Sequence, residues 1–256
     1  MYIPTITTTR FLRAASASGL ARHHMANMLT DTSQPNISLS EQAYLRLRQE
    51  ILICNLAPGE VVSERVLARR YEMSKTPIRE ALTQVCREGL MQRLPGRGYM
   101  VAPITIQDIR ELFDLRLILE IAAAERAVQH PSPHLIALLK QISTVRYSFD
   151  DPQSRVLFLE ANRRFHLTLA ETTGNHRLER MLEDLLVEME RLFHLGLRVR
   201  DSSEEMSREH QEVVAALEAG DAVALRTTIT NQITASQDRI MEAIMRGDIR
   251  QIQVSE

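Results

Sequence analysis

Polar side chains stand where several amphipathic helices should be apolar. Arg116 and Glu120 interrupt the stripe Ile109, Phe113, Ala123, Ala127. At i,i+4 they can pair with each other. Asn162 and His166, also four apart, share a face with Phe158, Phe165 and Leu169. His210 stands among Met206, Val213 and Leu217, and Gln232 among Leu225, Ile229 and Ile233. Read as helices, the four stripes point Arg116, Asn162, His166, His210 and Gln232 inward. A buried polar group without a partner costs about 1–3 kcal/mol. One inward histidine is more often a packing residue than a ligand, but five polar groups from four helices imply a shared polar cavity. Its chemistry is recognition. No histidine has Glu three residues before it, as a di-iron bundle would need: Arg163, Arg191 and Ser207 precede His166, His194 and His210 at that distance. No phosphate-binding loop, nucleotide-binding glycine pattern or Ser/His/Asp order stands out either.

A second set is basic and exposed. Arg65, Arg69 and Arg70 lie on one predicted helix, and Lys75, Thr76, Arg79, Arg93 and Arg97 follow it, all within residues 63–100. Lys75, Thr76 and Arg79 open one helix, where a recognition helix meets phosphates and base edges. Arg93 and Arg97 flank a Pro95-Gly96-Arg97-Gly98 turn.

The elements that must position these residues are legible. Ser63 caps a short helix carrying Val66, Leu67 and Ala68, and a break follows at Glu72-Met73-Ser74. Ser74 is expected to cap the next helix, with Pro77 in its first turn and Ile78, Ala81, Leu82 and Val85 on its buried face. Gly89 ends it. Two strand-like runs around the glycine turn complete a winged helix-turn-helix over residues 38–103, whose first helix opens on a capping box at Ser38 and buries Tyr44, Leu47 and Ile51. Six helices follow, at about 106–129, 133–147, 153–172, 176–198, 203–219 and 221–246. They are separated by Pro131, Asp151-Pro152, Gly174-Asn175, Asp201 and Gly220. No strand pattern interrupts them, so residues 104–248 are expected to form an antiparallel helical bundle. The fold class is mainly α.

The chain has 256 residues, enough for two domains. It is 44% hydrophobic and 4% aromatic, which favours helices with aliphatic cores. Net charge is −2, but residues 38–103 carry +3 and the stretch before them +2, leaving −7 for the rest. A basic front and an acidic back suit a DNA reader joined to a domain that avoids DNA. Cys54 and Cys86, both in apolar helical contexts, make no disulfide framework and point to a reduced compartment, the cytoplasm. No run has transmembrane length, so no membrane partner is expected. Residues 1–37 are poor in acid and rich in Ser, Thr and Arg. They resemble a transit peptide in composition and are expected to be a disordered extension, with Met25 and Met28 offering later starts. Residues 249–256 are expected to be a tail.

The run SERVLARRYEMSKTPIREALTQVCREGLMQRLPGRGYMV resembles the DNA-binding domain of GntR-type bacterial transcription regulators, most specifically in SKTPIREAL. FDLRLILE, ANRRFHLTLAETTGNHRL and EHQEVVAALEAGD are similar to the C-terminal effector domain of the FadR subfamily. The resemblance implies DNA contacts at Arg65, Ser74, Lys75, Thr76, Arg79 and Gly96. Lys75 stands where Arg is common, and it lacks the bidentate fork. In the bundle, the resemblance places the family's metal ligands on Asn162, His166, His210 and Gln232. Two match. Amides are weak ligands for zinc-like ions, so His166 and His210 would hold at most a weakly bound divalent metal, and no cofactor is certain. The cavity is instead expected to hydrogen-bond a small carboxylate effector, with the Arg116 fork as its anchor. The function implied is a ligand-responsive regulator, a repressor most often, binding a double-stranded DNA operator as a homodimer. The alternatives are an architectural DNA binder that needs no ligand and a metal-dependent helical-bundle enzyme.

Overall fold

The computed structural model describes residues 37–129, 131–246 and 252–253. Apart from Ile37, the N-terminal extension lies outside the described residues, as does the C-terminal tail apart from residues 252–253. Nine helices and two small sheets are found among the described residues, and the chain is mainly α.

The first core belongs to a winged helix-turn-helix. Helix α1 (Leu39–Leu52) buries Ala43, Leu47 and Ile51. Strand β1 (Val61–Val62) leads to α2 (Glu64–Tyr71), where the Ser63 hydroxyl accepts the Val66 N–H at 3.3 Å. Glu72 closes α2 in the left-handed region, φ 56°, donating its N–H to the Ala68 and Arg69 carbonyls. That reversal makes the tight turn into α3 (Lys75–Arg87), which buries Ile78, Ala81, Leu82 and Val85. Ser74 occupies the cap position of α3 but its hydroxyl makes no capping bond. One of the two N–H groups that a capping oxygen can take, that of the third helical residue, is missing, because that residue is Pro77.

Strands β2 (Met91–Leu94) and β3 (Gly98–Val101) pair antiparallel with Met91 opposite Val101 and Leu94 opposite Gly98. β1 adds to the far edge of β3, giving the order β1-β3-β2. The wing tip is a four-residue turn in which the Arg97 N–H donates to the Leu94 carbonyl at 3.0 Å. Pro95 and a left-handed Gly96 (φ 73°) fill its centre, the type II pattern. Gly98 has φ 112°, and a Cβ there would lie 2.4 Å from the Val62 carbonyl oxygen. Only glycine lets β1 close on β3 at this point.

The second core belongs to six helices: α4 (Ile106–Ala127), α5 (Pro133–Ile142), α6 (Pro152–Glu171), α7 (His176–Val199), α8 (Ser203–Glu218) and α9 (Ala222–Met245). α4 packs on α6, α7 and α9, while α5 packs on α6 and α8. Each break read from the sequence is a helix boundary. Thr105 and Asp108 form a complete capping box on α4, and the Asp151, Asn175 and Asp221 side chains cap α6, α7 and α9. Two points differ from expectation. α5 ends at Ile142, not near Tyr147, because the Ser143 and Thr144 hydroxyls turn back to the Lys140 and Gln141 carbonyls at 2.8 Å. Tyr147 then enters the core, 4.9 Å from the Phe158 ring, with its oxygen accepting the Ser202 N–H. Residues Ile104–Thr105 (β4) also pair in parallel with Ile252–Gln253 (β5), so the bundle carries a short strand pair that its helical periodicity hid.

The two cores meet beyond the end of α1, which stops at Leu52. Cys54 adopts φ 54° there and lies in the hydrophobic cluster of the bundle, not in a helix of the first core. Its N–H bonds Ile51 O and the Asn55 N–H bonds Glu50 O, a helix-ending reversal usually given to glycine. From α7, Arg198 donates to the carbonyls of Ile53 at 2.7 Å and Cys54 at 3.2 Å. Arg191 donates to the Ala102 carbonyl, just past the wing.

Substituting Gly98→Ala is expected to lower stability by about 1–3 kcal/mol and loosen the wing. A urea melt together with amide exchange of β1 and β3 reads both effects. Unchanged exchange would show that β1 closes without the glycine.

Candidate functional site

Two sites emerge, one exposed and one buried. Arg65, Ser74, Lys75, Thr76, Arg79, Gly96 and Arg97 are all exposed. The start of α3 and the wing turn supply most of them. Arg79 is held by Glu64, the first residue of α2, with Nε to Oε1 at 3.1 Å and Nη2 to Oε2 at 2.9 Å. Tyr99 of the wing donates to the same carboxylate at 3.3 Å. The hydrogen bond from Arg79 holds the Glu64 carboxyl below its usual pKa, so it stays ionised. A guanidinium has two edges for bidentate pairing. Glu64 takes the Nε/Nη2 edge. The Nη1/Nη2 edge remains on a side chain that is 64% exposed, and such an edge matches guanine O6 and N7. Glu64 and Tyr99 were not among the residues expected from sequence, since fifteen and thirty-five positions separate them from their partners with no helical period to reveal the contact.

The buried site lies among the bundle helices. Arg116, Asn162, His166, His210 and Gln232 are each 5% exposed or less, as the stripes required. The structure joins two of them, Arg116 and His166, into one hydrogen-bonded group and adds Glu120. Arg116 Nε donates to Glu120 Oε1 at 2.6 Å. His166 Nδ1 meets Glu120 Oε2 at 2.6 Å, and its Nε2 meets Arg116 Nη2 at 2.8 Å. One assignment satisfies every atom: a neutral imidazole donating from Nδ1 and accepting at Nε2. His210 sits against this group, its ring 4.0 Å from Phe165 in a stack and 5.4 Å from His166.

Burial alone would raise the Glu120 carboxyl, but the Arg116 guanidinium and His166 outweigh it and bring its pKa to about 2. Burial lowers His166, with Glu120 opposing, and burial lowers His210 well below its ordinary value, with His166 and Arg116 adding to the effect and Glu120 only partly offsetting it. Both imidazoles are neutral at neutral pH. The group is therefore one cation and one anion, fully matched.

The carboxylate fork expected of Arg116 is thus taken from within. Asn162 is not drawn into the group; it lines a separate void of about 10 Å³ against α7 with Leu186 and Phe193. His210 Nε2 and Gln232 Oε1 are buried with no hydrogen-bond partner among the described residues. The donor set does not fit a divalent metal. His166 has no ring nitrogen open, and its lone pair already faces a guanidinium. Among the described residues no three His, Cys, Asp or Glu side chains are arranged to hold an ion. Among them, too, no helix is long and apolar enough to cross a membrane.

Comparison with known proteins agrees with this division. Residues 39–101 match the family described as bacterial regulatory proteins, gntR family, and residues 111–235 match the FCD domain. The HTH-type transcriptional repressor RspR of Escherichia coli (strain K12) is 26% identical over 214 residues, covering 81% of this chain and 91% of that protein. The HTH-type transcriptional regulator BphR of Paraburkholderia xenovorans (strain LB400) is 30% identical over 195 residues, covering 72% and 78%. The solved structure of E. coli McbR/YncC shares the fold, with a TM-score of 0.63 at 23% identity over 81% of this chain and 99% of that one.

Arg116→Leu is expected to leave the Glu120 carboxylate buried without its cation and to cost about 3–5 kcal/mol in a urea melt. Replacing Arg116, Glu120 and His166 together by Leu should cost far less than the sum of the single changes. Additive losses would mean the three do not act as one group.

The two neutral histidines also set a pH dependence. Below the ordinary histidine value of 6.5 the unfolded chain takes up protons that the fold refuses. Stability should therefore fall as pH drops from about 6.5, by up to about 1.4 kcal/mol per pH unit for each histidine. The contribution of Glu120 is present above 4.5 and is lost as pH falls toward 2. Urea midpoints at pH 7.5, 6.0 and 5.0 test this. A flat midpoint across that range would mean that His166 and His210 titrate normally.

Proposed function

The chain belongs to the GntR family of bacterial regulatory proteins, as a transcription regulator with an FCD effector domain, and from that premise we propose a repressor whose grip on its operator is set by a small carboxylate. The observation that carries the DNA half is Arg79. Glu64 fixes one edge of its guanidinium and leaves the other without a partner among the described residues, on an exposed side chain near the start of α3. Arg79 reads a guanine in the major groove. Lys75, Thr76 and Ser74 bind flanking phosphates, and the open Ser74 hydroxyl is free to do so. Arg65, with Gly96 and Arg97 at the wing tip, completes the backbone contacts. The sign of regulation follows the relative named a repressor.

Residues 38–103 act as the reading head and residues 104–248 as the effector and pairing domain. The protein works in the cytoplasm as a homodimer on a near-palindromic operator. Leu115 and Ile118, exposed by 39% and 65% on one face of α4, support pairing of the bundles. The inward set Arg116, Asn162, His166, His210 and Gln232 marks the effector region. Its unanswered atoms, His210 Nε2 and Gln232 Oε1, favour a ligand-responsive protein over an architectural one. With Arg116 already neutralised, the carboxylate is held by another cation.

Arg79→Ala is expected to weaken binding to a DNA sequence selected by the wild-type protein by about 10- to 100-fold, with little change on random DNA. The helical circular dichroism should not change. Equal loss on both DNAs would make Arg79 a phosphate contact and remove it as the base reader.

A further inference from the structure

A cavity of about 200 Å³ lies between the C-terminal halves of α7 and α9 and the start of α8. It excludes the five residues expected to hold the effector, yet it continues their stripes. Met206 in its wall is one turn before His210, and Ser236 is one turn after Gln232. Phe193 separates it from the polar group, with the Arg116 guanidinium 5.6 Å from its ring.

We propose that this cavity binds a small monocarboxylic acid with a compact apolar body of about one ring. The proposal rests on the bundle being the effector domain and names the ligand and its seat. Size comes first: an apolar cavity of about 150 Å³ holds benzene, so about 200 Å³ holds a ring and one carboxylate. Phe193, Leu197, Met206 and Ile240 supply the apolar wall. The anion is specified by Arg239, whose side chain is only 15% exposed. Glu209 grips it at 2.6 and 3.0 Å, which fixes the guanidinium in place and uses two of its five donors. The remaining donors serve the ligand. Ser202 and Ser236, 5% and 7% exposed, also line the cavity, and their hydroxyls have no hydrogen-bond partner among the described residues. A neutral ring would leave these groups unanswered, and the charged side chains in the lining are three arginines, Arg200, Arg239 and Arg246, against one carboxylate, Glu242. Glu205 pairs with Arg200 and Glu242 with Arg246, so Arg239 is the cation set deepest in the wall to select an anion.

The same wall explains how occupancy reaches DNA. Phe193 and Leu197 belong to α7, and so do Arg191 and Arg198. Those arginines hold the carbonyls of Ala102, Ile53 and Cys54 at the base of the winged domain. A ligand that displaces one side of α7 moves the arginines on its other side.

The experiment uses the full chain with benzoate as the probe and benzyl alcohol and benzylamine as neutral and cationic controls. Benzoate at saturation should raise the melting temperature by about 5 °C, and the controls should not. Ser236→Leu fills the cavity and should abolish the rise. Arg239→Met should weaken benzoate at least tenfold without creating a response to benzylamine. Arg198→Ala should keep the rise but lose the change of about tenfold that benzoate makes in affinity for the selected DNA. Silence with benzoate in the wild type overturns the proposal. So does an undiminished rise in either cavity variant, or a rise that Gln232→Leu removes while Ser236→Leu does not. A rise that both cavity variants remove, in a protein that selects no DNA, would keep the cavity site and reject the operator reading instead.

Discussion

The Glu120 carboxylate is 2% exposed, and a charge at that depth can exist only with its partners in place. This requirement organises the bundle. Arg116 is one turn away on the same helix and supplies the cation. It is not sufficient, because the second carboxylate oxygen needs a donor of its own. His166 brings that donor from α6, and doing so decides its tautomer. Its other nitrogen must then accept, and Arg116 Nη2 is the group that donates to it. The closed circuit locks α4 to α6 in one register. Phe165, next to His166, stacks on His210 and carries the constraint on to α8.

Helix α7 turns that fixed centre into a connection between the two cores. Phe193 meets Phe113 edge-on at 6.4 Å and stands beside Arg116, so α7 is packed against the locked group. Two turns of the same helix separate Arg191 from Arg198, which face the winged domain. The carbonyls they hold include those at the C-terminal end of α1, where the helix dipole is negative and cations are favoured. Cys54 is left-handed there without being glycine, a conformation that costs about 1–2 kcal/mol. The Cys54 thiol donates to the Arg191 carbonyl at 3.5 Å, so the strained residue is held from both directions. The thiol is pushed up to about 11 by burial, with the nearby arginines opposing, and acts here as a neutral donor.

Periodicity made much of this legible. The apolar stripes of α4, α6, α8 and α9 placed Arg116, Asn162, His166, His210 and Gln232 inward, where they lie, because a helix that buries one face fixes which residues lie on it; the buried Thr168, Ser207 and Ser236 were not read from them. Caps and breaks placed the boundaries for the same local reason. What failed was the assignment of partners. Arg116 and Glu120 could be paired from their spacing, but nothing in it says that His166 completes the circuit and leaves Arg116 no fork for a ligand. Arg79 and Glu64 lie on different helices, and only the left-handed Glu72 turn brings them together. The cavity was not legible at all. Met206, Ser236 and Arg239 look like ordinary positions until α7 is seen to be held away from α9.

A core closed by a guanidinium differs from one closed by a metal in a way that bears on signalling. A bound ion can leave, exchange or take a ligand into its coordination shell. Arg116 can do none of these without stranding Glu120. The locked group is therefore a support and not a sensor, and any response must start where donors and acceptors are still open. On α8, α9 and the turn into α8 those positions are His210 Nε2, Gln232 Oε1, Ser202, Ser236 and the spare donors of Arg239; on α6 and α7 they are Thr168 Oγ1, Arg191 Nε and His194 Nε2. The rigid half of the bundle gives the movable half something to push against, and α7 is the helix between them.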